Sequence, residues 1–331
     1  MKKLFLISLL LLFSIALLGC GQQEEAVQLD EAEEVLQVYS SFYPLHYVSE
    51  EIGGELVNSQ SIVPIGDEVH TYEISPQQIA ELENADLFFY NGLGLEPWAK
   101  RVSDNIEKMG VEAVKVSEVI DLLEFEKDSH HCDHSEHGAK KSEHSKAHNE
   151  IDHHHHGDYD PHIWLNPVNM KEIGRLVLDK FVEVDAENEE YYQRNYQNFA
   201  EQLAELDQKY QEALGEREQD HILVSHSAFA YLADRYGLEE LAVAGVSSHQ
   251  EPSTGGLAKL SEKVKAKDLE YIFLETLANP KTAEVLAQEV ELEVLTLNPI
   301  EGLTEAEQEA GEDYLSIMKS NLDALKKALV N

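Results

Sequence analysis

The sequence is poor in cysteine, in basic residues and in long apolar runs, and these shortages exclude several classes of protein. Two cysteines in 331 residues cannot form a disulfide-stapled scaffold. Only 25 lysines and arginines stand against 64 aspartates and glutamates, which gives a formal net charge of −39. So acidic a surface repels phosphate backbones, and we expect no nucleic-acid partner. Because the chain contains no H-E-x-x-H, G-x-S-x-G or Walker sequence, we also predict that it is not an enzyme.

The one long apolar run lies at the N-terminus. Met1–Lys3 is basic and residues 4–18 are almost wholly apolar, which is short for a bilayer span of about 20 residues but typical of a signal peptide. The run ends in a Leu-Leu-Gly sequence before Cys20 that is similar to a bacterial lipobox. We therefore predict that residues 1–19 are removed and that Cys20 carries a lipid anchor; an uncleaved signal anchor is the alternative.

The residues after Cys20 indicate where the protein acts. Residues 20–34 are rich in acids and contain no base, so we interpret them as a solvated tether. An anchored protein of this kind would lie outside the cytoplasm, on the outer face of the cell membrane or in the periplasm.

Strand-like and helix-like segments alternate along the rest of the chain, in two sets. The predicted strands cover residues 36–43, 61–65, 86–91 and 111–116, and then 221–225, 241–246, 271–275 and 293–297. The predicted helices of these sets cover residues 76–84, 227–236, 254–266, 280–290 and 304–329. Such alternation predicts an α/β fold with parallel sheets. We predict an N-terminal lobe (35–165) and a C-terminal lobe (185–331) of (β/α) type, joined by a long rigid connecting helix (166–184), with a further helix over 185–214.

Residues 128–157 differ in composition from both lobes. They hold almost no large apolar residue, so we expect a mobile, exposed loop within the N-terminal lobe. The loop contains ten histidines: His130, His131, His134, His137, His144, His148, His153, His154, His155 and His156. Imidazoles bind zinc, copper and nickel, so we predict additional weak zinc binding here without a specific ordered site. A merely solvating polar insert is the alternative.

Three of the six other histidines stand where ligands bind in α/β proteins. His226 follows a predicted strand, and Glu275 ends another. His70 lies between a predicted strand and a predicted helix, and His162 lies beside the start of the connecting helix. Because ligands bind at the carboxyl ends of parallel strands, all four side chains could meet in the cleft between the lobes. Three imidazoles and one carboxylate form an ordinary tetrahedral zinc set.

Several segments resemble the zinc and manganese solute-binding lipoproteins of bacterial ABC importers, the ZnuA-like family. The segments are GDEVHTYE (66–73), DPHIWLNP (160–167), SHSAFAYL (225–232), EPS (251–253) and IFLE (272–275). The resemblance covers about residues 35 to 330. It implies two lobes joined by a rigid helix, with the metal at the lobe interface. It also implies a histidine-rich loop before the second histidine motif, as zinc-type members often have.

The resemblance also implies a function and a ligand set. His70, His162 and His226 would be imidazole ligands, and Glu275 the fourth ligand. The protein would be a monomeric, high-affinity receptor that captures one Zn(II) in the cleft and delivers it to an ABC permease, with the loop as an auxiliary zinc collector or buffer. Manganese-type members carry a carboxylate at the position of His226, so a third imidazole favours zinc. A manganese or iron receptor is the alternative, a zinc hydrolase is a third hypothesis, and a role in cell adhesion stays open.

Overall fold

Two four-stranded parallel sheets form the frame of the protein. The structure, a computed structural model, describes residues 35–124, 159–246 and 253–330. The first sheet has the order β2-β1-β3-β4 and contains β1 (Leu36–Ser40), β2 (Val57–Ser61), β3 (Leu87–Tyr90) and β4 (Glu112–Lys115). The second has the order β6-β5-β7-β8 and contains β5 (His221–His226), β6 (Glu239–Ala244), β7 (Tyr271–Leu274) and β8 (Glu293–Thr296). Every pair of neighbouring strands is parallel, which confirms the predicted α/β fold of two lobes.

Helices connect the strands and cover the sheets. Those of the first lobe are α1 (Tyr43–Gly53), α2 (Pro76–Leu82) and α3 (Ala99–Ile106). Between the lobes lie α4 (Pro167–Val184) and α5 (Glu189–Leu214). Those of the second lobe are α6 (Ala230–Tyr236), α7 (Thr254–Ala266), α8 (Lys281–Val290), α9 (Glu305–Ala310) and α10 (Tyr314–Leu329). In the described part of the chain, no helix is both long enough and apolar enough to cross a membrane.

The connecting helix begins and ends where the sequence predicts. The side chain of Asn166 accepts a hydrogen bond from the N–H of Val168, and Pro167 occupies the first helical position. Both are strong start signals, because the cap satisfies a free N–H and proline has none to satisfy. Gly174 lets α5 approach α4 closely, since a Cβ there would lie 2.8 Å from the Phe199 ring. The two lobes are thus joined by a closely packed pair of helices.

The main core continues from one lobe into the other. Neighbouring residues of a strand point to opposite faces of a sheet. Accordingly, Phe89 and Val224 belong to one large buried cluster that includes the inner faces of α4 and α5. Phe88 belongs to a smaller cluster on the other face of the first sheet, and Leu223 to one on the other face of the second. The shared core fixes the position of the two sheets and of the cleft between them.

Three predicted elements are wrong in part. The strand predicted over 61–65 is β2, which ends at Ser61; the strand predicted over 36–43 ends at Ser40, and α1 follows. The helix predicted over 304–329 is two helices, because Gly311 adopts a φ of +73° after α9. A left-handed glycine ends a helix at little steric cost. The predicted leader, Cys20, the acidic tether and the histidine-rich loop lie outside the described residues.

A buried carboxylate in the first lobe carries one stability prediction. Glu96 accepts hydrogen bonds from the Ser41 hydroxyl and from the N–H groups of Asn91 and Gly92, at 2.5, 2.8 and 3.1 Å. Glu96→Ala leaves these three donors, two of them buried, without an acceptor, so we expect it to lower the free energy of unfolding by about 2–4 kcal/mol. Urea denaturation measures this, with Glu96→Gln, which keeps one acceptor oxygen, as the control. Equal stability of Glu96→Ala and the wild type would contradict the prediction.

Candidate metal centre

Three loops and the end of strand β5 bring four side chains to one buried point. His226 is the last residue of β5, and His162 precedes the single helical turn that leads into α4. His70 lies in the loop between β2 and α2, and Glu301 lies in the loop between β8 and α9. The first lobe therefore contributes His70 and the second contributes His226 and Glu301, with His162 at their junction.

One carboxylate oxygen faces all three imidazoles. Oε1 of Glu301 lies 3.3 Å from Nε2 of His70, 3.2 Å from Nε2 of His162 and 3.4 Å from Nε2 of His226. The four potential ligand atoms all lie within 4.8 Å of one another. In a regular tetrahedron with ligands about 2.0–2.1 Å from zinc, neighbouring ligand atoms are about 3.3–3.4 Å apart. The three distances from Oε1 of Glu301 to the imidazole nitrogens thus already match the ligand spacing of a zinc site.

The cluster is shielded from solvent. The side chains of His162 and His226 are 0% exposed, that of Glu301 is 3% exposed, and that of His70 is 6% exposed. Buried polar groups are costly unless they are paired or bind a metal. Neither ring nitrogen of His226 has a well-aligned hydrogen bond to a described residue.

Two further carboxylates lie against the opposite nitrogens of two of the rings. Nδ1 of His162 is 2.9 Å from Oδ1 of Asp160, and Nδ1 of His226 is 2.5 Å from Oε1 of Glu275. Glu275 also accepts a hydrogen bond from the Ser225 hydroxyl at 2.6 Å. A carboxylate on the outer nitrogen fixes the orientation of an imidazole and directs Nε2 at the metal.

These acids raise the proton affinity of the two buried imidazoles. Burial alone lowers the pKa of His162, but Asp160 and Glu301 outweigh it and raise the pKa to about 9. Burial also lowers the pKa of His226, and Glu275 and Glu301 raise it to about 10. Burial raises the pKa of Glu301, but the three histidines hold it well below its usual value. At neutral pH without a metal, these pKa shifts favour protonated His162 and His226 beside an ionised Glu301.

A half-buried acid supports the turn that follows His226. One oxygen of Glu240 accepts hydrogen bonds from the N–H groups of Ala228 and Phe229, at 3.0 and 3.2 Å. Burial, and then the charge of Asp160, raise the pKa of Glu240 to about 7. The carboxyl group of Glu240 thus fixes the backbone of Ala228 and Phe229, just after His226.

The structure brings together His70, His162 and His226, but the carboxylate between them belongs to Glu301. Glu275, which the sequence analysis assigned as the fourth ligand, lies on the outer nitrogen of His226 instead. The physical reason is its place in the sheet: Glu275 directly follows β7 beside Ser225, while Glu301 is the fifth residue after the end of β8. Glu301 also follows a strand, so the strand-end argument could have found it.

The other described histidines lie elsewhere. Nδ1 of His46 is 2.8 Å from the Ser59 hydroxyl, and burial lowers the pKa of its ring. His221 stands at the start of β5, where its Nε2 is 2.9 Å from Glu239. Across residues 35–124, 159–246 and 253–330, only the cluster around Glu301 groups three or more histidine, cysteine or acidic side chains closely enough to hold a metal.

Fold and site together define a two-lobed α/β protein with a cluster of three histidines and one carboxylate between its lobes that could hold a metal ion. The chain belongs to the family described as ZnuA, zinc-uptake complex component A, periplasmic, whose model matches residues 38–328. The resemblance found in the sequence motifs is thereby confirmed.

Named relatives and a solved structure are consistent with this membership. The chain is 34% identical over 312 residues to the high-affinity zinc uptake system protein ZnuA of Bacillus subtilis, covering 94% of this chain and 93% of the relative. It is 33% identical over 329 residues to the zinc-binding lipoprotein AdcA of Streptococcus pneumoniae, covering 99% of this chain but only 61% of that relative's length. The crystal structure of the Zn(II)-bound ZnuA-like domain of the latter has a TM-score of 0.72 and 30% identity, covering 90% of this chain and 100% of that one.

Proposed function

We propose that the protein is an extracytoplasmic receptor that binds one Zn(II) through His70, His162, His226 and Glu301 and delivers it to the permease of an ABC importer. The observation that carries the proposal is the position of Glu301 Oε1, 3.2–3.4 Å from three imidazole Nε2 atoms in a buried cleft. Glu275 and Asp160 then act as orienting partners of His226 and His162. Four protein ligands leave no open position for a catalytic water, so the proposed role is binding and not catalysis.

The donor set favours zinc over manganese. Three nitrogens and one oxygen suit a four-coordinate zinc ion, whereas Mn²⁺ favours oxygen ligands in an octahedral arrangement. The relatives named for zinc binding and zinc uptake support the same assignment. A high-affinity site for zinc is the function best supported by this chemistry.

Delivery requires that the protein stay near its importer. We propose that Cys20 carries a lipid anchor at the outer face of the membrane, that residues 20–34 form the tether, and that the protein acts as a monomer. The ten histidines of residues 128–157 would collect or buffer zinc with lower affinity. A relative is named a lipoprotein and the family description is periplasmic, which supports an extracytoplasmic location.

A competition titration tests the metal assignment. The protein would start at Gly21 and lack residues 130–156, so that the cleft is measured without the histidine-rich loop. Trp164 reports binding, because its ring centroid lies 5.3 Å from that of His162. We expect one tightly bound zinc per chain that a hundredfold excess of manganese does not displace. Displacement by manganese, or the absence of a tight site, would overturn the proposal.

The raised pKa values predict how many protons zinc displaces. With pKa values of about 9 and about 10, His162 and His226 are both protonated at pH 7.5 in the metal-free protein. Only the neutral ring binds a metal, so zinc should release about two protons at this pH. The logarithm of the affinity should then rise with a slope near two per pH unit from pH 7 and level off as the pH passes 9 to 10. Calorimetry in buffers of different ionisation enthalpy measures the count, and a pH-independent affinity would refute it.

A further inference from the structure

The residue before Glu301 has an unusual backbone. Ile300 is a buried β-branched residue, 0% exposed, with a φ of +56°. For a β-branched side chain this left-handed conformation is a clear outlier, because the side chain crowds its own backbone. Such a conformation persists only where the surrounding structure enforces it, and it is a reason to look for a function.

A buried pair of asparagines holds this backbone in place. The side-chain oxygen of Asn298 accepts the N–H of Ile300 at 2.7 Å. Asn298 is fixed in turn by Asn321, which accepts its N–H at 2.8 Å and donates to its carbonyl at 2.7 Å. Asn298 and Asn321 are 4% and 2% exposed, so water does not compete for these bonds. These hydrogen bonds therefore hold the backbone of residues 298–300 in one conformation.

The same loop contacts the segments that carry two of the histidines. The indole N–H of Trp164, two residues after His162, donates to the carbonyl of Pro299 at 2.7 Å. The N–H of Gly66, in the loop of His70, donates to the carbonyl of Leu303 at 2.9 Å. Hydrogen bonds on either side of Glu301 thus tie its loop to the His162 and His70 segments.

We propose that Ile300 is a positioning residue whose enforced left-handed backbone turns the Glu301 carboxylate onto the three imidazoles. This inference rests on the proposed zinc site and deepens it. Residues 298–303 contact both histidine segments and also place Glu301 against the three imidazoles. The left-handed region open to an L-residue is small, so while the surrounding hydrogen bonds hold Ile300 there, the backbone before Glu301 has little freedom and Glu301 keeps one orientation before the metal arrives. A preorganised ligand binds more tightly because less ordering is needed on binding.

The test compares Ile300→Gly with Ile300→Ala. Both variants lose the same buried contacts, apart from one methyl group, but only glycine removes the steric strain. In the metal-free proteins, we expect Ile300→Gly to melt at a temperature at least about 2 °C above that of Ile300→Ala. In zinc competition titrations, we expect Ile300→Gly to bind at least about tenfold more weakly than Ile300→Ala, the size of effect seen for orienting groups.

A double-mutant comparison separates positioning from general loosening. If Ile300 acts through Glu301, the difference between the glycine and alanine variants should disappear when Glu301 is replaced by glutamine. Should both Ile300 variants fail to fold, Asn298→Ala removes the acceptor of the Ile300 N–H and leaves the core side chain in place. It should weaken zinc binding at least about tenfold in the wild type and not in the Glu301→Gln background.

The outcomes that would overturn the inference are distinct from those that would overturn the function. A wild-type protein without a tight zinc site removes the proposed function, while the melting temperatures of the metal-free variants still report the strain. A tight wild-type site with equal affinities for Ile300→Gly and Ile300→Ala removes the positioning role alone. A lower melting temperature for Ile300→Gly than for Ile300→Ala would also remove the positioning role. So would an affinity difference between these two variants that persists in the Glu301→Gln background.

Discussion

Replacing His162 with alanine is expected to lower the affinity of the cleft for zinc by more than about 100-fold. Loss of an outer partner of a metal ligand costs about 10–100-fold, and loss of the ligand itself should cost more. His162 is fully enclosed: its two nitrogens meet Asp160 and Glu301, and its side chain is 0% exposed.

The experiment needs controls for folding and for histidine content. His162→Ala removes the ring that faces the buried Asp160 and one of the three imidazoles around Glu301, so circular dichroism and a melting curve must first show that the variant folds. His162→Gln, which keeps most of the volume, should lose zinc to a similar extent. His46→Ala and His221→Ala remove imidazoles outside the cluster and should bind zinc as the wild type does. Equal losses in His46→Ala and His162→Ala would contradict the site.

The second large effect separates the two candidate carboxylates. We expect Glu301→Gln to weaken zinc binding by more than about 100-fold and Glu275→Gln by about 10–100-fold. The amide in place of Glu301 is a poor ligand and removes the one negative charge that faces all three Nε2 atoms. The amide in place of Glu275 still contacts Nδ1 of His226 but no longer compensates its charge or fixes its orientation.

The two variants are matched, because each replaces one carboxyl oxygen with NH₂ within a few ångströms of the same ring. Isothermal titration with a competing chelator gives both affinities on one scale. If Glu275→Gln lost more affinity than Glu301→Gln, Glu275 would be the fourth ligand and the carboxylate assignment made here would be wrong.

The three imidazoles could be predicted because each lies where a local sequence signal indicates a loop beside a strand or helix. His226 ends an apolar strand, and His162 lies just before the Asn166-Pro167 helix start. The fourth side chain was missed because the sequence places two acids after two strands of one sheet. Only the tertiary path of the loop after β8 determines which of them reaches the imidazoles.

The elements that sequence patterns missed are decided by tertiary packing. The residues of α1 include Tyr43, Tyr47 and Val48, which favour a strand by local propensity, yet α1 forms because one face of it is buried in the shared core. β2 has the polar sequence VNSQS and lies at the edge of its sheet, so neither an apolar run nor alternation marks it. By contrast, the predicted helix starts at residues 76 and 304 agree with α2 and α9, where Ser75 and Thr304 form capping boxes.

The most direct test of the account is anomalous diffraction at the zinc absorption edge from crystals grown with one equivalent of Zn(II). We expect one dominant anomalous peak about 2.0–2.2 Å from Nε2 of His70, His162 and His226 and from a carboxyl oxygen of Glu301. Glu275 should remain on Nδ1 of His226. A dominant peak outside this cluster, or one bound by Glu275 and not by Glu301, would contradict it.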